Sequence, residues 1–442
     1  MKKILVLGAG LVSRPGVHYL LNQPELEVTV ASRTVSKAEE LVKGFPNGKA
    51  KQVDVENTDA LANLVKENDI VISLLPWIHH MKVAELCIEY GKHMVTTSYV
   101  SPAMKELDPK VREKGLLFLN EIGVDPGIDH MSAMKIIDEE VEKEGGKVLH
   151  FYSYCGGLPA PQHNDNPFGY KFSWSPRGVV LASRNPARFL ENGQIIEIPG
   201  KELFRNYIVE EVEGLGKFEV YPNRDSVPYK DLYGLKDALT VKRGTYRNLG
   251  WCDTFYVLNQ LGFIDETPRD FVKGNTYKNI TAKVLEVSPD SNLKEAIKSK
   301  VSIEKIDEVI YRLEWLGLFS DEVVNNADNL LDMLSNRLQE KLVYKPGEVD
   351  MLLLKHTFIV ENKDGSMDKI TSTLIDFGIP YGDTSMARTV SLPMAIAVKM
   401  IANGQIKDIG VRIPNTKDIY EPVLAELEKL NIKMVEKRER LS

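Results

Sequence analysis

Short β-branched runs alternate with amphipathic stretches through the first quarter of the chain. Ile4 to Leu7 is apolar at every position, as a parallel strand covered on both faces must be. Gly8-Ala9-Gly10-Leu11-Val12 follows, then Ser13 and Arg14, and Pro15 opens a stretch whose Val17, Leu20 and Leu21 recur at helical spacing. Proline suits a first helical turn, where its missing amide leaves nothing unpaired. Further strands are predicted over Glu27 to Ala31, Lys51 to Val53, Ile70 to Leu75, His93 to Thr96 and Leu116 to Leu119. Helices are predicted over Thr58 to Lys66 and His80 to Tyr90. Strand and helix in alternation, with short connections, specify a doubly wound α/β sheet.

Past Asn120 the pattern loosens. The turn formers and carboxylates of Glu121 to His130 lead into a predicted helix from Met131 to Glu142, and Val148 to Tyr154 reads as a strand. Asn164 to Gly178 is a long run dense in Gly, Pro and aromatic residues; ordering such a loop costs entropy, and loops of this kind are often functional. Pro222 to Ser226 and Arg243 to Arg247 are expected to be two arginine-bearing loops. Helical spacing dominates Trp251 to Lys345. Two strands, Met351 to Glu361 and Met367 to Phe377, flank an Asn362-Lys363-Asp364-Gly365 turn, and a helix with Pro393 inside it runs from Thr384 to Ala402 before a mixed tail. No internal repeat interrupts this order.

The first turn carries chemistry. Gly8 permits a tight exit from the strand, and Gly10 lets a pyrophosphate approach the backbone at a helix N-terminus. Ser13 stands where a third glycine is usual. At the head of a βαβ unit, the Gly8 to Val12 turn reads as the phosphate cradle of a Rossmann-type nucleotide-binding domain. Cofactor choice is read at the end of the second strand. An NAD enzyme commonly has Asp or Glu there for the ribose hydroxyl, whereas this chain offers Ser32, Arg33 and Thr34, which suit a 2′-phosphate. NADP(H) is therefore the expected cofactor, with Asp54 and Val55 beside the adenine.

Composition narrows the partners. Of 442 residues, 43% are hydrophobic and 27% charged, the balance of an ordinary globular protein. The net charge of -7 disfavours a nucleic-acid or anionic-membrane surface, while leaving room for a local basic pocket. Cys87, Cys155 and Cys252 fit neither a zinc site nor a disulfide framework, so a reducing compartment is expected. The run Ile4 to Leu7 is too short for a signal peptide, and the expectation is a cytoplasmic protein. His79 and His80 are neighbours in sequence but point apart on a helix; a helix-start or surface role is expected and no metal site. Glu436 to Arg440 reads as a solvated face.

Longer blocks carry a resemblance. VLGAG, VISLLP at Val71 to Pro76, TTSYVSPAM at Thr96 to Met104, NEIGVDPGIDH at Asn120 to His130 and SYCGGLPAP at Ser153 to Pro161 occur in order. NPFGYKFSWSPRG at Asn166 to Gly178, YPNRDS at Tyr221 to Ser226, RGTYR at Arg243 to Arg247 and EWLGLF at Glu314 to Phe319 continue it. Together they resemble the glutamate-forming, NADP-dependent saccharopine dehydrogenases over nearly the whole chain. The resemblance implies a Rossmann domain at 1–124 completed by 384–442, a mixed α/β substrate domain at 125–250 and 346–383, and an all-helical insertion at 251–345. The implied reaction joins L-glutamate to 2-aminoadipate 6-semialdehyde as an imine and reduces it to saccharopine, a step of lysine biosynthesis; a homodimer is a further implication.

By the same resemblance, Ile72, Thr97, Val124, Asp125, Pro126 and Ser175 join the cofactor contacts, and Ser98, Tyr99, Arg224, Thr245, Tyr246 and Arg247 contact the substrate. Saccharopine presents three carboxylates, and Arg224 and Arg247 can each clamp one through two parallel hydrogen bonds. Reducing an imine needs a proton donor, for which Asp125, Tyr99 and Cys155 are candidates in that order. An NAD-type lysine-degrading relative, a carboxynorspermidine dehydrogenase and a non-catalytic NADP-binding sensor are the competing readings.

Overall fold

The inner strands of the N-terminal segment are apolar enough to be covered on both sides, and the strands pair in parallel throughout. The computed structural model describes residues 1–174 and 176–441, which fall into two units, Met1–Lys147 with Glu361–Ser442 and Val148–Val360. In the first unit β1 (Lys2–Leu7), β2 (Leu26–Ser32), β3 (Gly48–Gln52), β4 (Ile70–Ser73), β5 (His93–Val95) and β6 (Leu117–Leu119) lie in the order β3-β2-β1-β4-β5-β6. Strand order reverses between β1 and β4, and in such sheets the crevice above the carboxyl ends at that point takes the ligand. The third strand begins three residues before the expected Lys51 because it is the sheet's edge, half exposed and without an apolar run to mark it. Leu5, Leu7, Val71, Val83 and Phe118 belong to the core on one side of the sheet.

The helix after the Glu121 to Gly127 turn starts earlier than predicted, at Ile128, and loosens to a π-helical turn over Ile136–Val141.

The second unit holds a mixed sheet. Its strands are β7 (Lys147–Pro159), β8 (Ala187–Glu191), β9 (Gln194–Ile198), β10 (Ile208–Val212), β11 (Gly216–Pro222), β12 (Thr240–Arg247) and β13 (Asp350–Glu361). The order is β10-β11-β12-β7-β13; β12 runs parallel to β7 and antiparallel to β11, and the β8–β9 hairpin leans on β12. Between β12 and β13 the segment folds into five helices, Trp251–Gln260, Tyr277–Leu285, Leu293–Lys300, Ile306–Leu316 and Leu330–Lys341. Their apolar faces share one core with the sheet, from Tyr154 and Tyr246 through Trp251 and Phe255 to Leu334 and Leu338.

The C-terminal segment contributes β14 (Met367–Phe377), β15 (Gly410–Arg412) and β16 (Val435–Leu441) to the first unit. β15 extends the parallel sheet beyond β6, and the charged tail forms β16, antiparallel to β14. Arg438 Nε there donates to Asp368 Oδ2 at 2.7 Å. The helix Ser385–Ala402 is long and apolar enough to suit a membrane span, with a mean hydropathy of 1.2, yet 78% of it is buried inside the protein. It packs on the helix Arg14–Leu21, where Gly16 N donates to Ser391 Oγ at 2.9 Å. A Cβ at Gly16 would lie 2.6 Å from the Ser391 carbonyl oxygen, so glycine sets this approach.

Candidate active site

The crevice of the first unit is built from strand ends. Gly8 leaves β1 with φ +115, and a Cβ there would meet the Leu74 carbonyl at 3.0 Å. Gly10 is exposed, with open space where a side chain would stand, so the turn's backbone is reachable by a phosphate. Ser13, in place of the third glycine, is fully buried and turns its hydroxyl onto Gly10 O at 2.8 Å, closing the turn from within. Ala9 and Val12 are half-buried and Leu11 is 71% exposed.

At the end of β2, Ser32 is half-buried and Arg33 and Thr34 are exposed, with Gln52 Nε2 donating to Arg33 O at 3.1 Å. Thr34 occupies the N-cap position of the helix Val35–Val42 without making a capping hydrogen bond, which leaves its hydroxyl for a ligand. A guanidinium, hydroxyls and a helix N-terminus form a donor set that fits a 2′-phosphate. Asp54 caps its own turn by accepting from Glu56 N at 3.0 Å, and Val55 is buried beside it.

Two loops stand at the carboxyl ends of β5 and β6. Thr97, Ser98 and Tyr99 are half-buried in the first. The second folds tightly: Gly123 N donates to Pro126 O at 2.9 Å across a cis Asp125-Pro126 bond, and at Gly127 (φ +145) any Cβ would overlap the Gly123 carbonyl. Within residues 121–130 every position is buried except Asp125. Val124 and Pro126 hold that turn closed while its carboxylate emerges, and Tyr99 Oη donates to Asp125 Oδ1 at 3.1 Å. Gly123 packs against Thr97, and Glu121 accepts from Val100 N at 2.8 Å and pairs with the fully buried His130 at 2.8 Å. The two loops thus form one braced unit. Ile72, by contrast, is a core residue of β4, 0% exposed.

The second unit gathers cations and aromatic rings. Residues Arg243 to Arg247 lie on β12, not in a loop as expected: the alternation of Val241, Arg243 and Thr245 is a strand pattern hidden by its charges. Arg243 is 2% exposed, bonded to the Tyr229 hydroxyl at 2.7 Å and stacked on its ring. Tyr246 faces the core, its hydroxyl donating to Glu210 Oε2 at 2.8 Å. Thr245 is half-buried and sits in register with Cys155 of β7, itself buried.

Arg224 is exposed, in a left-handed conformation (φ +52) just past β11. Arg247 is 4% exposed, ringed by Tyr170, Tyr221 and Trp251 at 5.0, 5.7 and 5.3 Å, and among the described residues its Nε has no hydrogen-bond partner. Burial, with Cys252, pushes the Tyr221 phenol up, while Arg247, Thr245 and Arg224 pull it the other way, so that hydroxyl lies near three of the six expected substrate residues. Buried guanidinium and open arginine together suit a ligand with several carboxylates.

Sequence reasoning passed over Tyr221 and the ring around Arg247, although the aromatic density of Asn166 to Gly178 was a signal. It also placed His79 and His80 at a helix start or on the surface. His80 does begin a helix, but it is buried, between Ser73 and Ser98, while His79 pairs with Glu56. The expected cofactor residue Ser175 lies outside the described residues.

Residues 4–119 match the family model of the saccharopine dehydrogenase NADP binding domain, and residues 123–432 that of the saccharopine dehydrogenase C-terminal domain. The chain is 43% identical over 446 residues to the saccharopine dehydrogenase (NADP(+), L-glutamate-forming) of Schizosaccharomyces pombe, covering 99% of both. The enzyme of that name from Saccharomyces cerevisiae is 41% identical over 444 residues, again with 99% of each covered. The solved structure of the apo, L-Glu-forming saccharopine dehydrogenase from Saccharomyces cerevisiae superposes with a TM-score of 0.91 at 40% identity, over 99% of this chain and 100% of that one. With the family's NADP binding domain and its C-terminal domain both matched, and with full-length relatives 43% and 41% identical, the chain belongs to the saccharopine dehydrogenase family.

Proposed function

We propose that the chain is an NADP(H)-dependent, glutamate-forming saccharopine dehydrogenase. The observation that carries this reading is the end of β2, where Arg33 and Thr34 stand exposed and no carboxylate is present, beneath an open glycine turn. The names of the full-length relatives support it. In the direction of synthesis, the amine of L-glutamate condenses with the aldehyde of 2-aminoadipate 6-semialdehyde and releases water. NADPH supplies the hydride that reduces the resulting imine carbon, and a proton on nitrogen completes saccharopine. The reverse oxidation yields glutamate and the semialdehyde. The place of the reaction is lysine synthesis by the aminoadipate route.

The chain's own residues do the rest. Gly8, Gly10, Ser32, Arg33 and Thr34 bind the cofactor's phosphates, while Arg224, Arg247, Thr245 and Ser98 hold the substrate carboxylates. Asp125, with Tyr99 donating to it, handles the proton at the imine nitrogen; Cys155 is the lesser candidate because its thiol is buried. Three buried cysteines, none in a disulfide, support a cytoplasmic location, and we read the active form as a homodimer. The synthetic direction tests the reading: purified chain, glutamate, semialdehyde and NADPH should give a product of saccharopine's mass, and reduction of the aldehyde to an alcohol instead would refute it.

A further inference from the structure

Ser73 is fully buried at the end of β4, and among the described residues its hydroxyl has one hydrogen-bond partner, His80 Nδ1 at 2.8 Å. The opposite ring nitrogen, Nε2, lies 2.8 Å from Ser98 Oγ. Burial, with a smaller contribution from His79, pushes the His80 imidazole down to about 4, so the ring is neutral at working pH and carries one proton. One N–H between two hydroxyls permits two arrangements. With the proton on Nδ1, Ser73 accepts, and its own hydroxyl proton is left without an acceptor among the described residues at a fully buried position, which is the costly case. With the proton on Nε2, Ser73 donates to Nδ1, the ring donates to Ser98 Oγ, and the Ser98 proton is turned away from the ring.

We propose that His80 is a positioning residue, fixed by Ser73 as the Nε2–H tautomer, which makes the Ser98 hydroxyl an outward donor to a substrate carboxylate. The proposal rests on Ser98 being a substrate contact. The backbone around Ser98 is held independently: Thr96 Oγ1 donates to Ser73 O at 2.9 Å, Ser98 N donates to Thr96 Oγ1 at 3.3 Å, and Val100 N donates to Glu121. Removing the imidazole therefore frees a hydroxyl rotor without moving the loop.

Nitrogen-15 NMR of the histidine-labelled full chain, with the His80 signals identified by their loss in His80→Gln, reads the tautomer directly. A protonated Nε2 and a bare Nδ1 at neutral pH are expected; a protonated Nδ1 overturns the proposal. In steady-state assays His80→Leu and Ser98→Ala should each raise the KM for saccharopine about 10-fold, with kcat and NADPH affinity little changed. The double variant should be no worse than Ser98→Ala alone, because the imidazole acts only through the Ser98 hydroxyl. His80→Gln, whose amide can donate to Ser98, should recover most of that KM. Additive losses, or a KM unmoved by His80→Leu, overturn the proposal. If His80→Leu does not fold, Ser73→Ala takes its place: the tautomer lock is lost, both nitrogens share the proton and KM rises. The tautomer is read without substrate, so it stands or falls separately from the assigned reaction.

Discussion

Tyr99 donates its phenolic proton to Asp125 Oδ1 at 3.1 Å, joining the loop after β5 to the one residue of the 121–130 turn that is not buried. A carboxylate set in a rigid turn and addressed by a phenol is ready to exchange a proton with a bound amine. Asp125→Asn should lower kcat about 100-fold or more, within the range of general acid–base catalysis, with little effect on NADPH binding. Tyr99→Phe keeps the ring and loses one hydrogen bond, so about a 10-fold loss is expected. Single-turnover rates at several pH values check both, and an Asp125→Asn enzyme of normal rate would move the role to Tyr99, or to Cys155 if Tyr99→Phe is normal too.

Cofactor selection should lie with Arg33. The side chain is exposed and its loss leaves no buried cavity, so Arg33→Ala should weaken NADPH by about 10- to 100-fold, the worth of a charge-assisted pair, and leave NADH nearly untouched. Fluorescence titration with each nucleotide measures this; equal losses for both would remove the 2′-phosphate role.

Arg224 and Arg247 should behave differently because their surroundings differ. Arg224 is exposed, so Arg224→Ala should raise the KM for saccharopine at least about 10-fold with no change in Tm. Arg247 fills a ring of three aromatic side chains, and Arg247→Ala should lower Tm as well as raise KM, since it empties packed volume. A thermal melt beside each kinetic assay separates them, and an unchanged KM for Arg224→Ala would place that arginine outside the substrate site.

Gly16→Ala tests how the C-terminal segment closes on the N-terminal helix. Alanine in a helix gains about 1 kcal/mol over glycine, but here its methyl would press on a backbone carbonyl at 2.6 Å. Overpacking of about 1–3 kcal/mol should win, and the urea midpoint should fall. A higher midpoint would show that the two helices can move apart without loss.

In the second unit, hydrogen bonds from Lys171 and then Lys345 hold the Asp165 carboxyl down to about 2, against 3.8 for an unperturbed group. A depressed carboxyl stabilises the fold above its unfolded value and loses that contribution as pH falls through the folded one. The stability difference between the unsubstituted chain and Asp165→Asn should therefore be constant above pH about 5 and shrink toward zero by pH about 2. Because Asp165 is 43% exposed, solvent and salt keep the effect small. Urea titrations across that range check it; a gap that widens on acidification would contradict it.

Much of the fold was legible because parallel strands buried on both faces must be apolar, and β1, β2 and β4 are. β3 was misplaced because an edge strand needs no such run. The Arg243 to Arg247 strand was missed for the opposite reason: its charges are satisfied by stacking and by Tyr229, which no local pattern announces. Gly16 and Ser391 are 375 positions apart, so the close approach at Gly16 has no local signature either. Of the candidate site, the glycine turn and the Arg33 corner followed from residue type and position. His80 did not, because a buried imidazole and a surface one look alike until their neighbours are known.

The most direct measurement is absorbance at the reduced-nicotinamide band, with saccharopine and either NADP+ or NAD+. NADP+ should be reduced only when saccharopine is present, with one glutamate released per nicotinamide, and at least about 10-fold faster than NAD+. No saccharopine-dependent signal with either nucleotide, or a faster rate with NAD+, would contradict the account.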